Sequence, residues 1–324
     1  MSMDQICLPI QHDLASVEDV LRRETTSSVE IITQVIQYMI ANKGKRMRPA
    51  LTILAARMAG YHGEAAATMG AMMEMVHTAS LMHDDVIDNA AVRRGRPSAN
   101  AQWGNQISVL VGDFFWCKAC EIMVRHANPR ILKAVTNTIT ATTEGEVLEV
   151  VKSNDINITE EEYLKVIQLK TAVLLSTCCQ VGAILGDVSE SYETAMKRYG
   201  FDLGIAFQLA DDYLDYEAEE ERLGKTTGTD LREGKVTLPL IVALKRADDT
   251  QRQSIKDAAL AKAITPRQFK DVLAVIKDHN GLTYTADLAR HYIAKAKSHL
   301  EPFKPSIEKD ALLALADYVI ERGE

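Results

Sequence analysis

A chain of 324 residues with 47% hydrophobic and 25% charged residues carries enough apolar material for a sizeable core, and its formal net charge of −8 argues against bulk electrostatic binding to nucleic acid or an anionic membrane. Aromatics at 6%, with only 8 prolines and 17 glycines, argue against a β-sandwich or barrel and favour helix nearly throughout. The five cysteines offer one CxxC, Cys117 and Cys120, with no second pair at zinc spacing. Its flanks, FFWCKACEIM, read as a buried helix, so a reduced, cytoplasmic protein is expected.

Taken in chain order, the N-terminal MSMDQICLPIQHD has an early acid and no long apolar run, so no signal peptide is expected. Val17, Val20 and Leu21 open a first amphipathic helix. Ile31, Ile32, Val35, Ile36 and Met39 mark a second, which the basic stretch NKGKRMRP (42–49) ends. A proline-free run from 64 to about 90 predicts a long helix. Further helices are predicted over about 105–126, 131–152, 160–186, 190–222, 235–247, 251–261, 266–279, 283–301 and 308–321, with breaks at Pro97, Pro129, 154–157, Gly186-Asp187, 224–234, Pro266, Gly281 and Pro302/Pro305. The most apolar stretch, 172–186, includes Ser176, Thr177 and Gln180 and is too short and polar to span a bilayer, so no transmembrane segment is expected. No strand alternation stands out and no low-complexity linker divides the chain. The expectation is one all-α domain over 1–324, a helical bundle of about a dozen helices.

Two acidic stripes interrupt this apolar pattern. On a helix over 72–88, Glu74, His77, Leu81, Asp84, Asp85 and Asp88 fall on one arc of about 100°. Carboxylates about 4 Å apart repel by roughly 4 kcal/mol at an effective dielectric near 20, so a surface helix gains little from this stack unless a divalent cation binds it. Mg²⁺ takes one or two carboxylates, keeps several waters and accepts substrate phosphates. FDLGIAFQLADDYLDY (201–216) repeats DDxxD at Asp211, Asp212 and Asp215, with Phe201, Gly204 and Gln208 on the same face. A glycine mid-helix costs about 1 kcal/mol relative to alanine, so Gly204 suggests a close approach there. Basic runs complement the acids: Lys45, Arg46 and Arg48; Arg93, Arg94 and Arg96; Lys225, Arg232 and Lys235. Jointly they read as diphosphate sites flanking metal, Arg for bidentate contact and Lys as a point charge.

With GKRMRP (44–49), EMVHTASLMHDDVIDNAAVRRG (74–95), LVGDFF (110–115), EGEVLEV (144–150), LKTAVL (169–174), GIAFQLADDYLD (204–215) and GKTTGTDLREGKVTLPLI (224–241), the chain resembles the trans-polyprenyl diphosphate synthases. The resemblance implies the isoprenoid synthase fold, with a central cavity between helices. It implies ionisation of an allylic diphosphate, farnesyl diphosphate for preference, and attack on the cation by the double bond of isopentenyl diphosphate. Proton loss to the released diphosphate then gives a trans chain one C5 unit longer. By position, Asp84, Asp85, Asp88, Asp211, Asp212 and Asp215 would hold a cluster of about three Mg²⁺ ions, with Asp84, Asp88, Asp211, Lys170 and Lys225 as the catalytic set. Lys45, Arg48, His77 and Arg94 would bind isopentenyl diphosphate, and Arg93, Lys170, Thr171, Gln208, Lys225 and Lys235 the allylic diphosphate. The family also implies a homodimer.

The resemblance implies that product length is set by the residues four and five positions before the first aspartate, where bulky side chains block the chain. Ala79 and Ser80 are small, and Ser80 and Val76 lie most directly beneath Asp84. No aromatic plug lies within 72–83. A long product of about C35–C45 is expected, C40 favoured, as a quinone side-chain precursor; a C15 or C20 synthase is the alternative. Among other readings, a class I terpene cyclase would not need a second DDxxD or GKRMRP, and a non-catalytic synthase subunit would lack the aspartates. An HD-type phosphohydrolase built on His83-Asp84 would need further His and Asp ligands, and His83 falls off the acidic arc.

Overall fold

The computed structural model describes residues 1–42, 44–217, 228–259 and 264–321. Among these, regular structure is helical apart from one short β-hairpin. The elements run α1 (Met3–Ile6), α2 (Gln11–Glu24), α3 (Glu30–Ala41), α4 (Met47–Met58), α5 (Ala65–Ile87), β1 (Val92–Arg93), β2 (Arg96–Pro97), α6 (Ala99–Trp103), α7 (Asn105–His126) and α8 (Pro129–Lys152). They continue with α9 (Glu160–Ile167), a π-helical turn (Gln168–Ala172), α10 (Val173–Leu185), α11 (Glu190–Glu217), α12 (Thr229–Arg232), α13 (Leu238–Arg246), α14 (Asp249–Ala259), α15 (Pro266–Asp278), α16 (Gly281–Ser298) and α17 (Ile307–Glu321).

The chain divides into two compact units. The first comprises Met1–Asn137, Thr177–Lys197 and Leu300–Leu315, and the second Thr138–Ser176, Arg198–His299 and Ala316–Glu324. In the first unit α5 is the axis, packed by α2, α4 and α7. It is apolar on nearly every side, and Met69, Met72, Met73 and Met75 are wholly buried. Each such side chain contributes on the order of 1.5–3 kcal/mol on burial. In the second unit α13 packs on α15 and α16, and its core joins Ile205, Leu209 and Tyr216 to Leu238, Leu240 and Ile276.

Four local findings differ from the periodic reading. Helix α4 was missed because it is buried all round, at Met47, Pro49 and each position from 50 to 56, so no apolar stripe shows. Its N-cap, Arg46, has a left-handed backbone (φ 49°), and Pro49 falls in the first turn, where a missing N–H costs nothing. The arginine-rich loop is a hairpin: Arg93 pairs with Arg96 across Arg94 and Gly95, both at positive φ. The single helix expected over 160–186 starts as the Thr159–Glu162 capping box implies, but breaks into a π turn at Gln168–Ala172 before α10 resumes. The span Glu160–Leu185 reaches the length and apolarity of a membrane-crossing helix, yet 67% of its most apolar stretch is buried inside the protein. Finally, α7 is buried on one side only: Phe115, Ala119 and Ile122 are interior, while Cys117 and Cys120 are exposed.

Candidate active site

Both aspartate motifs lie on long helices. Asp84 and Asp85 lie in the last turn of α5 and Asp88 is its C-cap, with no basic residue in that turn. Asp211, Asp212 and Asp215 lie on α11. A helix C-terminus carries roughly −0.5 of a charge, so the α5 carboxylates work against the dipole as well as each other. A cation there reverses both penalties, and one at the α11 motif relieves the repulsion among its carboxylates.

Within each motif the middle aspartate is the buried one. Asp85 is wholly buried and accepts from Arg93 Nε at 2.5 Å. Asp212 is 2% exposed and accepts from the Tyr163 hydroxyl at 2.5 Å and from Gln208 Nε2 at 2.8 Å. Burial pushes the Asp212 carboxyl up to about 7; the charges of Asp211 and Asp215 add to the rise, and the bonds from Tyr163 and Gln208 oppose it. Asp84, Asp88, Asp211 and Asp215 remain partly accessible. Asp215 also starts α12, accepting from the backbone N–H groups of Thr229 (3.1 Å) and Asp230 (3.0 Å). So of the six aspartates expected to hold metal, Asp85 and Asp212 are the buried ones, Asp85 accepting from Arg93 through Oδ1 and Asp212 through both oxygens.

Among the described residues no three His, Cys, Asp or Glu side chains converge into a ready-made metal cage. A zinc site would need one; Mg²⁺ does not, because one or two carboxylates suffice and water and phosphate complete its octahedron. Hard oxygen donors clustered on α5 and on α11 fit that ion.

In the first unit a small pocket gathers Arg46, Glu74, His77, Arg93 and Arg94. The hairpin docks there through Arg94 Nη1 to the Asn42 carbonyl (2.9 Å) and Tyr38 Oη to the Pro97 carbonyl (2.7 Å). Arg46 is bound by two acids: its Nε donates to Glu18 Oε1 and its Nη1 to Glu74 Oε1, both at 2.7 Å. Burial, and then the charges of Arg48, Arg94, Arg93 and Arg46, hold His77 well below the ordinary imidazole range, so it is a neutral ring in a cationic surround. Lys45 is exposed beside Arg46 in sequence, and Arg48 lies close enough to act on His77. Arg93, expected with the allylic set, lines this pocket with His77 and Arg94.

In the second unit a cavity of about 130 Å³ is lined by Lys170, Thr171, Gln208, Asp212 and Lys235, together with Tyr163, Glu149 and Asp230. Four of the six residues expected to bind the allylic diphosphate therefore share one wall. Lys225 lies outside the described residues. The π turn presents Lys170, whose Nζ meets Glu146 Oε2 at 2.8 Å and Glu149 Oε2 at 2.5 Å. Thr171 Oγ1 donates to Gln208 Oε1 at 2.9 Å, and Lys235 Nζ to Glu233 Oε2 at 2.8 Å. Sequence reasoning did not single out Glu146, Glu149 or Tyr163. The two glutamates lie three apart in EGEVLEV, a spacing that signals a shared helix face; nothing local pairs Tyr163 with Asp212.

Ahead of the first motif, Val76 and Ala79 are buried, and Ser80 is partly accessible with its hydroxyl on the His77 carbonyl at 2.9 Å.

The chain is similar to known proteins along its length. The family model described as polyprenyl synthetase matches residues 29–276. The chain is 38% identical over 322 residues to the octaprenyl diphosphate synthase of Escherichia coli (strain K12), covering 99% of each. It is 33% identical over 306 residues to the short chain isoprenyl diphosphate synthase of Methanothermobacter thermautotrophicus, covering 93% of this chain and 94% of that one. A polyprenyl synthase from Caulobacter crescentus CB15, crystallised with calcium and isoprenyl diphosphate, superposes with a TM-score of 0.95 at 38% identity, covering 100% of this chain and 98% of that one.

Proposed function

Since the chain belongs to the polyprenyl synthetase family and is a prenyltransferase, we propose that it adds isopentenyl diphosphate units to an allylic diphosphate, farnesyl diphosphate for preference, to give a long all-trans polyprenyl diphosphate of about C35–C45, with C40 favoured. The carrying observation is the pair of DDxxD motifs, one closing α5 at its carbonyl end and one on α11 with Asp211 and Asp215 partly accessible, carboxylate clusters whose mutual repulsion a bound cation relieves. Mg²⁺, when bound, neutralises charge on the departing diphosphate.

The protein's own groups do the rest. Asp84, Asp88, Asp211 and Asp215 are the accessible carboxylates for metal, with Asp85 and Asp212 holding the residues around them. Lys170 and Lys235 supply fixed positive charge where the allylic diphosphate leaves, with Lys225 from the same motif. Thr171 and Gln208 orient their dipoles in that cavity. Lys45, Arg48, His77 and Arg94 hold the diphosphate of isopentenyl diphosphate, and Arg93 steadies Asp85 while contributing charge. Small side chains at Ser80 and Val76 leave room for a growing chain.

The octaprenyl relative supports the long product; at 33% identity, the short-chain relative makes a C15 or C20 product the second reading. Exposed Leu110 and Val124 on α7 support a homodimer, checked by light scattering. We place the enzyme in the cytoplasm, supplying quinone side chains, as the reading that a C40 product supports. The test is incubation with Mg²⁺, farnesyl diphosphate and labelled isopentenyl diphosphate, then chromatography of the dephosphorylated products. Polyprenols of C35–C45, abolished by chelator, are expected. A C15 or C20 end product overturns the length assignment, and diphosphate release without isopentenyl diphosphate overturns the condensation itself.

A further inference from the structure

Thr171, Gln208, Asp212 and Tyr163 form one continuous line of hydrogen bonds in the second unit. Thr171 Oγ1 donates to Gln208 Oε1 at 2.9 Å, Gln208 Nε2 to Asp212 Oδ1 at 2.8 Å, and Tyr163 Oη to Asp212 Oδ2 at 2.5 Å. The line joins the π turn, α11 and α9, and all four residues line the same cavity. Its polarity follows from donor chemistry. A carboxylate accepts, so Gln208 turns its amide nitrogen to Asp212 and is left with its carbonyl for Thr171. Tyr163 is the end of the line: it is 4% exposed, and burial first, then the Asp212 charge, keeps its hydroxyl protonated as a donor. Without that donor the Asp212 carboxylate would lack half its partners, in a helical stretch where it repels Asp211 and Asp215.

We infer that Tyr163 is a positioning residue for the allylic half of the site: by fixing the Asp212 carboxylate it sets the Gln208 amide and, through that, the Thr171 hydroxyl beside Lys170. The inference rests on the cavity being the allylic diphosphate site proposed above. Tyr163 on α9 lies seven residues before Lys170 on the π turn that follows it, so two consecutive elements carry the anchor and the charge.

The test is Tyr163→Phe in the full chain, which deletes one oxygen and keeps the ring. Three readouts apply: steady-state constants for each substrate, calorimetric binding of farnesyl thiolodiphosphate with Mg²⁺ present, and thermal unfolding. The allylic KM and the analogue Kd should rise about tenfold, the scale of a lost hydrogen bond to a charged group, while the isopentenyl diphosphate KM changes less than about twofold. Thr171→Val should reproduce the allylic shift. In an Asp212→Asn background, adding Tyr163→Phe should shift the allylic constants by much less than tenfold, because the route runs through that carboxylate. Unchanged allylic constants, equal shifts in both KM values, or full additivity with Asp212→Asn overturn the inference. A wild-type protein that fails to condense isopentenyl diphosphate overturns the reading on which it rests; an active wild type with an insensitive Tyr163→Phe overturns the positioning role alone.

Discussion

Gly204 and Ala172 are in backbone contact: a Cβ at position 204 would lie 2.5 Å from the Ala172 Cα. On α8, a Cβ at Gly145 would lie 2.7 Å from the backbone nitrogen of Lys170. Two helices thus press on the π turn through glycines. The close approach expected at Gly204 comes from the chain's own backbone. π turns recur at functional sites because the extra residue re-aims side chains, here Lys170 and Thr171.

Gly204→Ala should therefore destabilise. Helix propensity favours alanine by about 1 kcal/mol, but overpacking against a backbone atom costs about 1–3 kcal/mol. The displaced turn would also lift Thr171 from Gln208. A lower Tm with a raised allylic KM is expected; a raised Tm would show that the contact relaxes freely.

Glu18 anchors the Arg46–His77 pocket of the first unit from outside every recognised motif. It accepts from Arg46 Nε (2.7 Å) and Nη2 (3.4 Å), and Glu74 takes Nη1. The network holds Arg46 in a left-handed backbone, a conformation that costs a non-glycine residue on the order of 1–3 kcal/mol, and Lys45 and Arg48 flank it. Glu18→Gln should raise the isopentenyl diphosphate KM several-fold and leave the allylic KM unchanged. If both constants stay at wild-type values, Arg46 is fixed without Glu18.

How much of this was readable beforehand depends on the range of each interaction. The α5 and α11 motifs declare themselves through period and charge, and α9 through Thr159 and Glu162, three residues apart. Helix α4 does not, because burial on all sides erases the stripe that marks a helix. The π turn does not, because five residues of altered hydrogen bonding leave the apolar pattern of 160–186 intact. The split of each motif into two accessible carboxylates and one buried carboxylate is hidden as well. The partner of Asp212, Tyr163, is 49 residues away and is chosen by tertiary packing.

His77 predicts an acid-side loss of stability. Its folded pKa lies well below the unfolded value near 6.5, through burial first and then four arginine charges. Between the two values the unfolded chain binds a proton that the folded chain refuses. Stability contributed by neutral His77 is thus present above pH 6.5 and lost as pH falls towards the folded value. His77→Gln should show a smaller fall in Tm between pH 7.5 and 5.5 than wild type. Parallel curves would mean that His77 titrates equally in both states.

The two small residues before the first aspartate should differ in effect. Ser80 is partly accessible on the α5 row that carries Val76 and Asp84, so Ser80→Phe can project beneath the Asp84 carboxylate and stop the chain early. Ala79 is fully buried, on the row of His83, where α7 comes close: a Cβ on Gly112 would lie 2.5 Å from His83 Nε2 and 3.4 Å from the Ala79 carbonyl. Phenylalanine at 79 must therefore displace packed helix, costing at least the 1–3 kcal/mol typical of overpacking. Ser80→Phe is expected to give products shorter than wild type at near-native Tm, while Ala79→Phe lowers Tm. Measuring product length and Tm for both variants separates the cases. A shortened product from Ala79→Phe with an unchanged Tm would place the wall of the chain pocket on the α7 side of α5 instead.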